Sequence, residues 1–308
     1  MSKEYPNLLH DLETQGFTII PSFLSPSELS VLRTSASALA NLARGGHWDH
    51  VRTVGKQFPP WNPSDVFTRG IWGVQHLLHP SLSSLALDPT PFTRLYFSLR
   101  LLSLSKILLH VPEEEEDDES LVMELFNMLI TPPTPFSLRW HRDDIPESLG
   151  PEEELARLKE ESYSRHAQWN LPLYEDDSLI VVPGSHRRAR TEAEREADPY
   201  EENMPGQKVV KLQPGDLIFY DNNILHRGVY QPDRERLTLH GSVGHKDGSR
   251  SRARNVLQHA VGEWVGSCDF SCLGGEETKE RKVAEGMRER LVEMGRGVVG
   301  DVGYSLDG

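Results

Sequence analysis

The stretch LRWHRDD, residues 138–144, decides the fold. It places an imidazole and a carboxylate two residues apart where the local pattern is that of a half-buried strand. Successive side chains of a strand alternate between faces, so residues i and i+2 share one face. His141 and Asp143 therefore project side by side, and Arg142 turns away. Such a pair is either a surface ion pair or two-thirds of a metal site, and the surrounding chain has to choose.

Outward from this stretch the sequence is rich in strands. LVMELFNMLI, FSLRWH, QWNLPLY, SLIVVPGSH, KVVKLQPGDLIFY, ILHRGVY and RLTLHGSV follow one another from residue 121, separated by the turn signals PPTP, EDD, PGS, QPGD and QPDRE. Many short strands in one continuous region predict a sandwich or barrel, mainly β with flanking helices. Charged segments at 151–167 and 189–203 read as helical insertions. Upstream, Phe17 to Ile20 is strand-like. Ser25-Pro26-Ser27-Glu28 then starts a helix, with a hydroxyl cap, proline at the first position and glutamate at the third, running to about Leu42. Residues 43–91 read as irregular structure, and the acidic run at 111–120 as a solvated loop. Residues 252–265 predict a helix. A last helix carries Val283, Met287 and Leu291 four apart on one docking stripe. The expected organisation is one catalytic-type domain over 1–270 and a helical tail over 271–308.

Composition narrows the class. The 308 residues carry 33 Lys and Arg against 47 Asp and Glu, a formal charge of −14, which argues against a nucleic-acid groove. Two cysteines, Cys268 and Cys272, are too few for a disulfide scaffold or a structural zinc site. No segment approaches a membrane span, and the N-terminus lacks a signal-peptide core, so a cytoplasmic location is expected.

His-x-Asp occurs three times, where chance alone gives about one, so context must decide between them. His47-Trp48-Asp49 precedes the strand series, and His245-Lys246-Asp247 lies in a glycine-flanked turn, where aspartates are usually local hydrogen-bonders. Only His141-Arg142-Asp143 ends a strand inside the β-rich block. His226 follows 83 residues after Asp143, at the start of another strand, which leaves room for the chain to circle a barrel and return. Two imidazoles and one carboxylate on one face, with positions open opposite, form the facial triad of non-haem Fe(II) oxygenases. Three protein ligands leave three sites for a bidentate co-substrate and O₂. Arg236 lies ten residues past His226, with Thr238 two further on the same face. A guanidinium beside a hydroxyl suits the far carboxylate of a dicarboxylate. Arg234 competes for this role, but Arg236 opens the strand and puts Thr238 on its face.

GF-x-I-I-x-x-FLS-x-x-EL, W-H-x-D, V-P-G-S-H, P-G-D-L, L-H-R-G and a distal Arg-x-Thr follow in that order between Gly16 and Thr238, within a resemblance that covers roughly residues 10–265. In this ordered set the chain resembles the phytanoyl-CoA dioxygenase family of Fe(II)/2-oxoglutarate-dependent oxygenases. The resemblance implies a double-stranded β-helix, the cupin-like jelly-roll. It implies Fe(II) on His141, Asp143 and His226, 2-oxoglutarate on Arg236, and Met128 and Trp169 lining the co-substrate pocket. It further implies oxidation, foremost hydroxylation, of a small organic molecule with O₂, releasing succinate and CO₂. The carboxylate of Asp143 speaks against halogenation, because halide-using relatives carry a small residue there. The insertion at 151–167 is longer than in many relatives and suggests a lid. Other readings are a metal-binding jelly-roll without 2-oxoglutarate turnover, a non-catalytic binding module, and an oxygenase of protein side chains whose acidic surface selects a basic partner. His76, His79, His186, His240 and His259 read as structural; Trp72, Gln75 and Trp140 are candidates to face a substrate that nothing in the sequence ranks above packing residues.

Overall fold

The structure is a computed structural model that describes residues 6–57, 60–85, 87–111, 119–160 and 165–298, with the side chain of His259 also outside the described set. The chain opens with helix α1 (Leu8–Gln15), strand β1 (Phe17–Ile20) and helix α2 (Pro26–Arg44). Strands β2 (Val51–Thr53) and β3 (Ile71–Val74) follow, then α3 (Thr90–Tyr96) and α4 (Leu99–Leu108). Next come β4 (Leu121–Ile130), β5 (Phe136–Ser137), α5 (Pro151–Leu158), β6 (His166–Pro172) and β7 (Leu179–Val181). After α6 (Glu192–Glu196) lie β8 (Lys208–Val209), β9 (Leu217–Tyr220), β10 (His226–Tyr230) and β11 (Leu237–His245). Helices α7 (Arg250–Val256), α8 (Gly262–Trp264) and α9 (Lys279–Gly295) complete the order.

A wide sheet runs β1-β9-β6-β11-β4-β3-β2 and a narrow one β5-β10-β7-β8. Every strand pairing is antiparallel. This is a cupin-like jelly-roll with flanking helices. The pleat sorts the wide sheet into two faces. Ala167, Trp169 and Leu171 of β6 and Leu237, Leu239 and Val243 of β11 join the main core with residues of α2 and α9. The opposite face of β6 presents Gln168 and Asn170 to the space between the sheets. Gly241 stands opposite Trp169, and a Cβ there would lie 2.5 Å from the indole Cζ2. Only glycine leaves room for that ring.

Helix α2 starts as expected: Ser25 and Glu28 form a reciprocal capping box with Pro26 in the first turn, satisfying amides that the helix leaves unpaired. The irregular structure expected over 43–91 instead includes β2 and β3, which extend the wide sheet. These strands are three and four residues long, too short to set up a readable alternation. The helical reading of 151–167 holds only for α5, because β6 has begun by His166, and 161–164 lie outside the described residues. In 189–203 the helix is five residues long. The helix expected over 252–265 forms as α7, a π-helical turn over Leu257–Val261 and α8, with Ala260 at φ +66° inside the π turn. Most of the acidic run, 112–118, lies outside the described residues. Val283, Met287 and Leu291 of α9 dock into the main core, and Arg290 Nε donates to the Leu121 carbonyl of β4 at 2.6 Å.

Candidate metal centre and co-substrate cavity

The expected strand through His141 is regular only at Phe136 and Ser137, which pair with Tyr230 and Val229 of β10. Leu138 still donates to the Gly228 carbonyl at 2.8 Å, but the Trp140 amide turns away to Pro199. Pairing resumes with His141 directly opposite His226, their amides and carbonyls exchanging two bonds of 3.0 Å. One extra residue has been taken up between Ser137 and His141, a bulge of the kind that re-aims side chains at functional sites. Beyond this isolated bridge the Asp143 amide donates to the Asn222 carbonyl at 2.9 Å.

His141 and His226 thus face each other with ring centroids 4.3 Å apart. Asp143 Oδ1 lies 3.5 Å from His141 Nε2 and 3.7 Å from His226 Nε2. The three ligand atoms all fall within 4.8 Å of one another. Each ring directs Nδ1 at a carbonyl two residues earlier in the chain: His141 at Arg139 and His226 at Ile224, both at 2.8 Å. A carbonyl can only accept, so Nδ1 carries the proton and Nε2 the lone pair that a cation needs. Burial, aided by the neighbouring His141, depresses the His226 pKa to about 4, so this imidazole is neutral at pH 7. Burial works to raise the Asp143 pKa. The adjoining imidazoles of His141 and His226 and the Gln168 amide overcome it and hold the carboxyl well below its ordinary range. Gln168 Nε2 donates to the second oxygen, Oδ2, at 2.8 Å. Two neutral nitrogens and one anionic oxygen fit a divalent first-row metal.

Arg142 turns away from this cluster, as alternation requires. Its fully buried side chain donates through Nε to Glu154 of α5 at 2.9 Å and through Nη1 to the Ser185 carbonyl at 3.0 Å. Glu154 also accepts from Arg190 Nη1 at 2.8 Å and from Arg195. The expected lid at 151–167 is therefore fastened, at α5, to the back of the His141–Asp143 turn.

Arg236 lines the same cavity of about 140 Å³ as the three ligand residues. Its Nε donates to Asp176 Oδ2 at 2.9 Å and its plane lies 4.5 Å from the Tyr230 ring centroid. Burial alone would lower its pKa, but Asp176 and Tyr230 keep it above the ordinary value. Its buried Nη1 has no hydrogen-bond partner among the described residues, an orphan donor that a ligand carboxylate would satisfy. Arg234, the competing arginine, is at the surface with Asp177 at 2.7 Å. Thr238 shares the inward face, but its hydroxyl donates to Asp176, so it braces the acid that holds Arg236 and is not a cavity-lining group. Met128 and Trp169 face the opposite way: both are fully buried in the main core and neither lines the cavity. The motifs that carry the resemblance name the right strands, and the pleat turns these two side chains outward. His47 and Asp49 are exposed, and His245 Nδ1 accepts the Asp247 amide at 3.1 Å inside its turn.

Sequence reasoning missed Arg52, Gln57, Gln168, Asn170, Tyr230, His240 and Arg252, all of which line the cavity, and Asp176, which holds Arg236. Gln168 and Asn170 carried a signal: two polar residues alternating with Ala167, Trp169 and Leu171 in a strand otherwise suited to a core.

Two sheets enclosing a two-histidine, one-carboxylate cluster, with a guanidinium across the cavity, define a non-haem Fe(II)/2-oxoglutarate-dependent oxygenase. The chain belongs to the phytanoyl-CoA dioxygenase family, whose description, Phytanoyl-CoA dioxygenase (PhyH), matches residues 12–229. AviO1 from Streptomyces viridochromogenes Tue57 shares the fold with a TM-score of 0.53 at 16% identity, covering 78% of this chain and 94% of its own. EctD from S. alaskensis, solved with 2-oxoglutarate and 5-hydroxyectoine, gives 0.52 at 18% identity over 77% of this chain and 74% of its own. HygX from Streptomyces hygroscopicus, solved with nickel and 2-oxoglutarate, gives 0.52 at 17% identity over 77% and 86%. At such identities these likenesses speak for the fold. No curated protein matches the chain by sequence. Among the described residues no helix is long and apolar enough to cross a membrane.

Proposed function

We propose that this chain oxidises, and foremost hydroxylates, a small organic molecule, with His141, Asp143 and His226 holding Fe(II) and Arg236 holding the distal carboxylate of 2-oxoglutarate. The observation that carries the reading is the convergence of three ligand atoms within 4.8 Å in a cavity that also receives an arginine with an unpartnered donor. When bound, Fe(II) with 2-oxoglutarate and O₂ supplies the oxidising power, and the co-substrate leaves as succinate and CO₂. The chain does the rest. The Arg139 and Ile224 carbonyls keep both imidazoles in the ligating tautomer. Gln168 fixes the rotation of the Asp143 carboxylate, leaving Oδ1 for the cation. Asp176 holds Arg236 by Nε, so the guanidinium presents Nη1 in a set direction under Tyr230. Residues 1–270 are proposed as the oxygenase unit and 271–308 as its docked tail, acting in the cytoplasm on a small-molecule substrate.

Anaerobic addition of Fe(II) and 2-oxoglutarate tests the reading. Wild type should develop a weak visible charge-transfer band, and Asp143→Ala should lose or alter it. A wild type that stays colourless overturns the proposal.

A further inference from the structure

Arg52 belongs to β2 at the edge of the wide sheet, and its stem crosses Gly73 of β3. A Cβ on Gly73 would stand 3.0 Å from Arg52 Cδ, so glycine opens the path by which the side chain reaches the cavity. Its guanidinium lies 5.4 Å from the Trp61 ring centroid and 5.2 Å from that of Trp72. Each of the other cavity arginines has an acid. Arg236 has Asp176 at 2.9 Å, and Arg252 has Glu124 at 3.1 Å. The Arg52 side chain forms no hydrogen bond or ion pair among the described residues, and its Nε is sealed from solvent without an acceptor. Gln57, on the same cavity wall, accepts the Arg139 amide at 3.3 Å through Oε1, while its buried Nε2 also lacks a partner.

Indoles stabilise the flat faces of a guanidinium but accept nothing from its in-plane N–H groups. A buried donor left unpaired is costly, so two lining one cavity mark a place that a ligand completes. A planar anion fits the fork of one arginine supplemented by one amide N–H. We propose that Arg52, with Gln57, is a second carboxylate anchor of the cavity, separate from Arg236. The inference rests on the oxygenase reading of the cavity. The carboxylate comes either from the organic substrate, which is then an acid, or from the end of 2-oxoglutarate that Arg236 does not hold.

Fe(II)-loaded wild type, Arg52→Gln and Arg52→Lys are compared without oxygen, with circular dichroism confirming equal folding. In one arm 2-oxoglutarate is titrated, followed by the visible band and by fluorescence of the tryptophans. In the other, benzoate and hexanoate are titrated against benzamide and hexanamide by fluorescence, with and without 2-oxoglutarate. Arg52→Gln should weaken carboxylate binding at least fivefold in one arm, and Arg52→Lys should recover part of the loss. A loss confined to 2-oxoglutarate assigns the anchor to the co-substrate; a loss confined to benzoate or hexanoate, with their amides binding poorly throughout, assigns it to the substrate. Less than a fivefold change in both arms, or wild type that takes the amides as readily as the acids in an arm where 2-oxoglutarate is also unaffected, overturns the proposal. A missing visible band in wild type sinks the oxygenase reading instead, while the fluorescence arm still reports on Arg52.

Discussion

Gln168 shows how much of the centre depends on groups that would not touch the cation. By holding Asp143 Oδ2 at 2.8 Å it decides which oxygen faces the two imidazoles. Gln168→Leu should lower metal affinity by about 10–100-fold, the usual effect of losing such a supporting bond. Chelator competition measures this, and the far-ultraviolet spectrum should stay the same. His240 makes a different point. Burial first, and then the positive charge of Arg52, press its pKa down to about 3, while the unfolded chain titrates near 6.5. Between these values the unfolded state binds a proton that the native state refuses. Stability should therefore fall as pH drops below about 6.5 and level off only below about 3. Melting temperatures across that range should decline less steeply for His240→Gln than for wild type.

At the scale of elements, α5 and the metal-side turn form one unit because Glu154 ties Arg142, Arg190 and Arg195 together out of solvent. Removing one member of a buried charge cluster strands the others, at about 3–5 kcal/mol. Glu154→Ala should lose that much stability in denaturant titration and, through Arg142, also weaken metal binding. Legibility at this scale followed strand length and contact range. LRWHRDD and ILHRG could be read because the i, i+2 rule and the order of strands bring His141, Asp143 and His226 to one edge. The bulge before His141 could not, since it depends on Trp140 finding Pro199. Arg52 was hidden in a three-residue strand that exists only because β3, itself paired with β4, lies beside it. Asp176 read as a turn residue, and its link to Arg236 spans 60 residues of chain. Met128 and Trp169 fall on strands of the wide sheet but on the wrong side of the pleat, a distinction that a motif match does not make.

Over the whole molecule, the family match ends at residue 229, yet Arg236, His240 and Arg252 beyond it all reach the cavity. Arg252 of α7 is fastened to Glu124 of β4, and α9 covers β4 and α7 from outside through Val283, Met287 and Leu291. The C-terminal helices are thus part of the support of the site. Met287→Ala should cost about 2–4 kcal/mol by leaving a cavity in a fully buried layer, measured as a shift in the unfolding midpoint. Affinity for 2-oxoglutarate should survive wherever the variant remains folded.

Both ligand imidazoles are tied by Nδ1 to backbone carbonyls two residues back along the chain. Neither tether involves a distant helix or loop, so pairing of β10 with the 136–141 segment sets both imidazoles, and Gln168 of β6 then sets the Asp143 carboxylate. A cation then arrives at a finished receptacle and can leave again without the barrel coming apart. Unlike a zinc finger, whose ion is the glue of its architecture, this chain can be emptied and refilled as a tool takes a fresh bit.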